Sequence, residues 1–199
     1  MVRLLLASAL VAALPVLAHG HFVLIEPASW LVENRLGDPQ KLGPCGGTSA
    51  DPGTPTNAIV KVKGGTKLHL KLQETIFHPG HYRVALAVRS RAELPPDPQA
   101  TSRDTERGPW SVSAVIQNPP QTPVLADGLF PHTAKTSDPF EADIPLPNIT
   151  CEKCTLQIVE FMAEHGVNKD GGYFYHHCSD LQITADPAKP TDARWLAAR

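Results

Sequence analysis

The clearest pattern in the chain is the strict alternation of apolar and polar residues over short stretches. In residues 67–73, Leu68, Leu70 and Leu72 alternate with charged or polar residues. Residues 82–88 alternate again, with their apolar side chains at even positions. Successive side chains of a β-strand point to opposite faces, so each stretch predicts a half-buried strand.

Other short apolar stretches are bounded by proline, glycine or polar residues and predict further strands. They cover residues 21–25, 58–62, 110–116, 140–146, 155–162 and 181–184. No segment keeps an apolar period of 3.6 residues, and residues 34–55 and 92–109 are predicted to be long loops. The pattern therefore predicts one mainly β domain over residues 21–185, an immunoglobulin/fibronectin-III-like antiparallel β-sandwich. Residues 186–199 are predicted to be a polar tail in which Trp195 packs.

The first residues have the pattern of a cleavable signal peptide. A basic start, Met1 to Arg3, precedes an apolar run over residues 4–17 that ends in small residues. The run is shorter than the roughly 20 apolar residues of a transmembrane helix. We assign residues 1–20 to the signal peptide and expect a secreted or periplasmic protein with no membrane partner.

The composition narrows the range of partners. The net charge is −2 and the chain has no cluster of lysine or arginine, which argues against nucleic acid and acidic membranes. Twenty prolines in 199 residues disfavour long helices and favour turns, loops and strand edges. We expect a monomer.

Four cysteines in an exported chain indicate two disulfides, although three pairings are compatible with the sequence. We favour Cys151–Cys154 as a local loop and Cys45–Cys178 as the long-range bond. Zinc is the alternative, because Cys151, Cys154, Cys178 and His177 together would form a Cys₃His site.

Histidines dominate the candidate chemistry. Signal peptidase cleavage after Ala18 would expose His19, and cleavage after Gly20 would expose His21. An N-terminal histidine can chelate a metal through its α-amine and its ring Nδ1, and the amine has a pKa of about 8. His78 lies in a predicted turn just before a strand, where its ring could project from the edge of the sandwich. The alternative is an ordinary surface histidine, which is common in turns. A histidine at a signal-peptide junction can equally be there by chance.

A third histidine-rich segment lies near the C-terminus, Tyr173-Phe174-Tyr175-His176-His177-Cys178-Ser179-Asp180. In one interpretation the cysteine anchors aromatic and histidine side chains close to a disulfide. In the other, the segment is an aromatic strand whose rings pack in the core.

Together these motifs resemble the lytic polysaccharide monooxygenases, the copper histidine-brace enzymes. His21, Leu24, Pro27 and Ser29 match the register of that family's mature N-terminus. The other matching elements are His78-Pro79-Gly80-His81-Tyr82, Cys151-Glu152-Lys153-Cys154-Thr155-Leu156-Gln157 and Tyr175-His176-His177-Cys178-Ser179-Asp180. The chain is also similar to a fungal group that shares the brace and the Pro44-Cys45-Gly46-Gly47 element, a group associated with copper binding rather than polysaccharide cleavage.

The resemblance implies one copper ion held by the amine and ring of His21 and by the ring of His78. Tyr175 would occupy the axial side, and Glu160 would act beside the ligands. On a strand Glu160 shares a face with apolar residues, so it needs a partner if buried and none if it lies in water at a sheet edge. His176 and His177 would add hydrogen bonds to the site or lie on the surface.

The implied activity is oxidative cleavage of glycosidic linkages in a chitin- or cellulose-type polysaccharide. It would require an external electron donor and a surface that lies on the polysaccharide. Two alternatives remain: a non-catalytic copper-binding protein with the same brace, and a structural carbohydrate-binding protein without a metal.

Two sequence questions stay open. Cleavage rules favour exposure of His19, whereas the register of Leu24, Pro27 and Ser29 favours His21, which we adopt. Asn148-Ile149-Thr150 is an N-glycosylation sequon, relevant if the source is eukaryotic.

Overall fold

A computed structural model of the chain describes residues 20–196, which form ten β-strands and two short 3₁₀ helices. The strands are β1 (His21–Glu26), β2 (Ile59–Lys63), β3 (Lys67–Ile76), β4 (Gly80–Ala87), β5 (Ala100–Thr105), β6 (Gly108–Ala114), β7 (Val124–His132), β8 (Phe140–Pro145), β9 (Cys151–Met162) and β10 (Phe174–Thr184). The 3₁₀ helices are Arg91–Glu93 and Ala193–Trp195. The predicted signal peptide, together with His19, lies outside the described residues.

Two sheets form the body of the molecule. One has the strand order β1-β3-β8 and the other β2-β10-β9-β4-β7. Neighbouring strands are antiparallel except for β10 and β2, which are parallel. The layout confirms the predicted antiparallel β-sandwich. Strands β5 and β6 form a separate two-stranded hairpin.

The core between the sheets follows the predicted alternation. Leu68, Leu70 and Leu72 of β3 are buried in one cluster with the even-numbered residues of β4, beginning at Tyr82. Val84 and Leu86 complete that face of β4. The polar residues between the leucines of β3 face outward, where His69 lies between Glu141 and Asp143 of β8.

The two central strands of the larger sheet are buried on both faces. On β9, Leu156 and Ile158 point into the main core, whereas Val159 and Phe161 pack on the outer face with Phe174. A strand that is covered on both sides loses the apolar–polar alternation. This explains why the sequence predicts only the last four residues of β10.

Both favoured disulfides are confirmed, Cys45–Cys178 and Cys151–Cys154. The first fixes the long loop before β2 to the centre of β10, and the second closes a short loop at the start of β9. Because all four cysteines are paired, the alternative zinc site with His177 has no thiolate ligands and is wrong.

Two loop predictions need correction. Residues 92–109, predicted to be a surface loop, contain all of β5 and the start of β6. Residues 124–132, for which no strand was predicted, form β7 at the edge of the larger sheet. Both strands lack a continuous apolar face: β5 is almost entirely polar, and Gly128 and Pro131 interrupt β7.

The C-terminal segment is fastened to the sandwich by the side chain of Asn148. Its amide nitrogen donates hydrogen bonds to the carbonyl oxygens of Asp186, Lys189 and Pro190 at 2.9–3.1 Å. Its amide oxygen accepts from the backbone N–H of Asp186. Beyond this clamp, Trp195 is buried in the main core, as predicted.

Candidate metal centre

The two predicted ligand histidines lie at the same end of the smaller sheet. His21 begins β1 and pairs with Ile76, the last residue of β3. His78 follows Ile76 by two residues, in the turn that leads into β4. Both residues are buried, at 5% and 9% exposure respectively. The fold therefore brings the start of β1 and the His78 turn into one region.

His21 is held on several sides. Its Nε2 lies 3.2 Å from a carboxylate oxygen of Asp38, and its ring meets the Tyr175 ring edge-on at 5.0 Å between centroids. Its carbonyl oxygen accepts a hydrogen bond from the hydroxyl of Thr75. The hydrogen bond to His21 is the main reason that the pKa of Asp38 lies below its ordinary value.

The segment before β1 passes directly against His78. A methyl group placed on Gly20 would lie 2.9 Å from Cδ2 of His78 and 2.5 Å from the sulfur of Met162. Only glycine fits this position without displacing a neighbour. The chain therefore enters β1 beside the imidazole of His78.

Glu74 and His165 surround His78. A Glu74 oxygen accepts a hydrogen bond from the backbone N–H of His78 at 3.0 Å and lies 3.2 Å from Nε2 of His132. Burial lowers the pKa of His132, but its contacts with Glu74 and with the carbonyl of Phe130 outweigh burial and raise it. The ring of His165 meets the ring of His78 at 4.6 Å.

His165 was not predicted as a site residue. It lies in the loop after β9, and its backbone is fixed by Ser111 of β6. The Ser111 N–H donates to the His165 carbonyl, and the Ser111 hydroxyl accepts from the His165 N–H at 3.1 Å. A single histidine in a loop carries no periodic signal, and its place depends on the β5–β6 hairpin, which was itself predicted only in part.

The ring of Tyr175 contacts both His21 and His165. It is fully buried on β10, and its ring centroid is 5.0 Å from that of His21 and 6.4 Å from that of His165. Burial raises the pKa of the Tyr175 hydroxyl, so the side chain is neutral at physiological pH.

Glu160 is the strand partner of Tyr175 and is fully buried. It accepts a hydrogen bond from the hydroxyl of Tyr82 at 3.2 Å. Burial, reinforced by the negative charge of Glu74, raises the pKa of Glu160 to about 8. Of the two positions considered for Glu160, the structure therefore shows the buried one, with an uncharged carboxyl at neutral pH.

His176 and His177 are both buried, which excludes a surface position. His177 donates from Nε2 to the carbonyl of Phe22 at 3.0 Å, and its Nδ1 lies 3.2 Å from Glu33. Burial lowers the pKa of His177 to about 4 and raises that of Glu33 to about 7. His176 contacts Asp97 at 2.7 Å. The pair of histidines thus fixes β1 and the loop after Arg91–Glu93.

Comparisons with known proteins assign the chain to no family. Neither a scan against models of protein families nor a search of curated proteins finds a match. Within residues 20–196, no helix has the length and apolar character needed to cross a membrane. In the same part of the chain, no three side chains of the His, Cys, Asp and Glu types are arranged to hold a metal. A brace of two imidazoles and one α-amine contains only two side chains of these types, so it differs from such a group.

Proposed function

We propose that the mature protein is an exported copper protein in which His21 supplies its α-amine and ring and His78 supplies its ring. Amine and imidazole nitrogens suit copper, which also heads the affinity order of the divalent first-row metals. The proposal extends the resemblance to histidine-brace proteins with contacts of this chain's own residues.

The observation that carries the proposal is the close approach of the segment at Gly20, just before His21, to the side chain of His78. A methyl group on Gly20 would lie 2.9 Å from Cδ2 of His78, so the backbone that leads into His21 passes beside a second imidazole. Asp38 faces Nε2 of His21, which is the nitrogen that a chelate with the α-amine does not use. A carboxylate on the outer ring nitrogen also fixes the orientation of a ligating imidazole. The donor set and its support therefore fit a copper ion.

The choice between His21 and His19 is part of the proposal. The contact between Asp38 and His21 supports His21 as the first residue. The close packing of Gly20 supports the alternative, in which Gly20 stays in the mature chain and His19 begins it. Mass spectrometry of the secreted protein decides between the two, because the masses differ by one histidine and one glycine.

For activity, we propose copper-dependent oxidative cleavage of a chitin- or cellulose-type polysaccharide. Copper would supply oxygen activation, with electrons from an external donor. Tyr175, whose buried ring meets the ring of His21, would pack beside the ligands and exclude water there. Glu160, uncharged at neutral pH, would add no negative charge beside Tyr175 and would orient the hydroxyl of Tyr82.

A non-catalytic copper-binding protein is the second candidate. The Pro44-Cys45-Gly46-Gly47 element, which resembles the non-cleaving fungal group, is tied by Cys45 to Cys178 on β10. The disulfide therefore fastens this loop to the strand that carries Tyr175, and the likeness extends to the surroundings of the proposed site.

The distinguishing experiment incubates the copper-loaded mature protein with chitin or cellulose and ascorbate. Mass spectrometry then identifies the soluble products. Oxidised oligosaccharides that disappear in His78→Ala but persist in the exposed His69→Ala variant support the enzyme. Full copper uptake without oxidised products supports the copper-binding alternative, and absence of copper uptake refutes both.

A further inference from the structure

The β5–β6 hairpin lies outside both main sheets but contacts the candidate site. Its two ends, Ala100 and Ala114, pack on the outer face of the larger sheet against Val159, Phe161 and Phe174. In its middle, the buried hydroxyl of Ser111 donates to the carbonyl of Met162 at 2.6 Å. A two-stranded hairpin is marginally stable alone, so these contacts determine where it lies.

The opposite face of the hairpin is turned away from the body. Side chains alternate along a strand, so Trp110, next to the buried Ser111, points outward. A bulge between Ser111 and Ser113 returns Ala114 to the inner face. Trp110 pairs directly with Arg103 across the hairpin, and Thr105 follows Arg103 on the same face. With Glu106 and Arg107 at the turn, these side chains line a cavity of about 290 Å³.

This cavity is adjacent to the candidate metal centre. Trp110 forms a backbone bridge with Gly166, the residue after His165. The indole nitrogen of Trp110 lies 3.7 Å from the position of a methyl group on Gly166. A ligand in contact with Trp110 would therefore sit beside the loop that carries His165.

The lining has the chemistry of a sugar-binding pocket. The partly exposed indole offers an apolar face to the C–H groups of a sugar ring and a polar N–H at its edge. Arg103 is paired with Glu164, whereas no ion pair of Arg107 occurs in the described part of the chain. The planar guanidinium of Arg107 and the carboxylate of Glu106 present donors and acceptors that match vicinal hydroxyl groups.

We propose that this cavity binds one pyranose ring of a saccharide chain and holds the chain beside the candidate metal centre. The volume lies just below the range of about 300–1,000 Å³ for ligand pockets, which suits a single ring rather than a long oligosaccharide. The role in holding a substrate rests on the proposed function, but the binding itself does not require copper.

The test is an NMR titration of the copper-free, ¹⁵N-labelled mature protein with chitohexaose and, separately, cellohexaose. The chain has three tryptophans, and their indole N–H signals report separate regions. Trp30 donates its indole N–H to the carbonyl of Cys45, and Trp195 lies in the core. At least one of the two sugars should shift the Trp110 signal while the other two indole signals stay in place.

Calorimetry with the copper-loaded protein measures the affinity. Trp110→Ala should weaken binding by roughly tenfold or more, as expected for an aromatic anchor. Arg107→Ala should weaken it in the same direction, and the exposed Val115→Ala should leave it unchanged. Both hairpin variants should take up copper like the wild type.

The proposal is overturned if neither sugar shifts the Trp110 signal, or if Trp110→Ala binds as tightly as the wild type. A loss of copper uptake by the wild type would refute the proposed metal site and leave the sugar titration to be judged on its own. The two failures are therefore distinguishable.

Discussion

Replacement of Glu160 by glutamine should make the protein's stability less sensitive to pH. Glutamine keeps the shape of the protonated carboxyl and can still accept the hydrogen bond from Tyr82. Burial raises the pKa of Glu160 from 4.5 to about 8. Between these values the unfolded chain has released this proton while the folded protein retains it, so a rise in pH favours unfolding.

The magnitude follows from that difference in proton binding. Each pH unit in the window changes the free energy of unfolding by about 1.4 kcal/mol for one group. From pH 5 to pH 7, wild type should therefore lose about 3 kcal/mol relative to Glu160→Gln. The relative loss should continue to pH 8 and then level off.

Urea unfolding, followed by tryptophan fluorescence with the disulfides intact and a chelator present, gives the required free energies. Glu33→Gln is the matched comparison, because burial raises the pKa of Glu33 only to about 7. The difference in free energy of unfolding between Glu33→Gln and wild type should grow with pH in the same direction but level off near pH 7. If the gap for Glu160→Gln does not change between pH 5 and pH 8, the carboxyl ionises normally in the fold and the reasoning is wrong.

Two further predictions concern stability and modification. Loss of Cys45–Cys178, which spans 133 residues, should destabilise the protein by about 5 kcal/mol, whereas loss of Cys151–Cys154, which spans 3, should cost roughly 2 kcal/mol. The reason is that a longer closed loop restricts the unfolded chain more. Thermal unfolding of the two paired serine variants measures both losses, and equal losses would contradict the prediction. Asn148 should carry no glycan in the folded protein, because its amide nitrogen is enclosed by three carbonyl oxygens. Intact mass spectrometry after eukaryotic expression tests that point, and Asn148→Ala should lower the free energy of unfolding by roughly 2–3 kcal/mol.

The fold was predictable where one face of a strand is buried and the other is wet. In β3, leucines alternate with charged residues, and the predicted strand and its inward face are confirmed. Strand β5 was missed because it has almost no apolar residues. The hairpin that contains it is held to the body by Ala100 of β5 and by Ser111 and Ala114 of β6. The same reasoning also misses most of β10, whose polar histidines are buried because Glu33 and Asp97 pair with them.

The candidate site was predictable only as far as its residues lie in short motifs. His21 and His78 stand in recognisable positions along the chain. Asp38 and His165 do not, since each reaches the site from a loop whose path depends on long-range contacts. The Asn148 clamp was hidden for the same reason, because its partners lie about 40 residues further along the chain.

The structure also indicates how β1 is kept in place. The amide of Phe22 donates to the side chain of Gln40, its carbonyl accepts from His177, and the amide of Leu24 donates to Glu33. Two side chains from a long loop and one from β10 thus replace a neighbouring strand along the open edge of β1. Such an edge would otherwise leave backbone groups unpaired.

The most direct test of the central claim is a copper titration of the mature protein, after mass spectrometry has verified its N-terminus. We expect uptake of one copper ion, with affinity reduced by roughly tenfold or more in His78→Ala and unchanged in His69→Ala. A chain that retains one residue before its N-terminal histidine should lose most of the affinity, because an amide nitrogen is a poorer ligand than an amine. Absence of copper uptake by the correctly processed chain, or uptake that His78→Ala does not alter, would contradict the account.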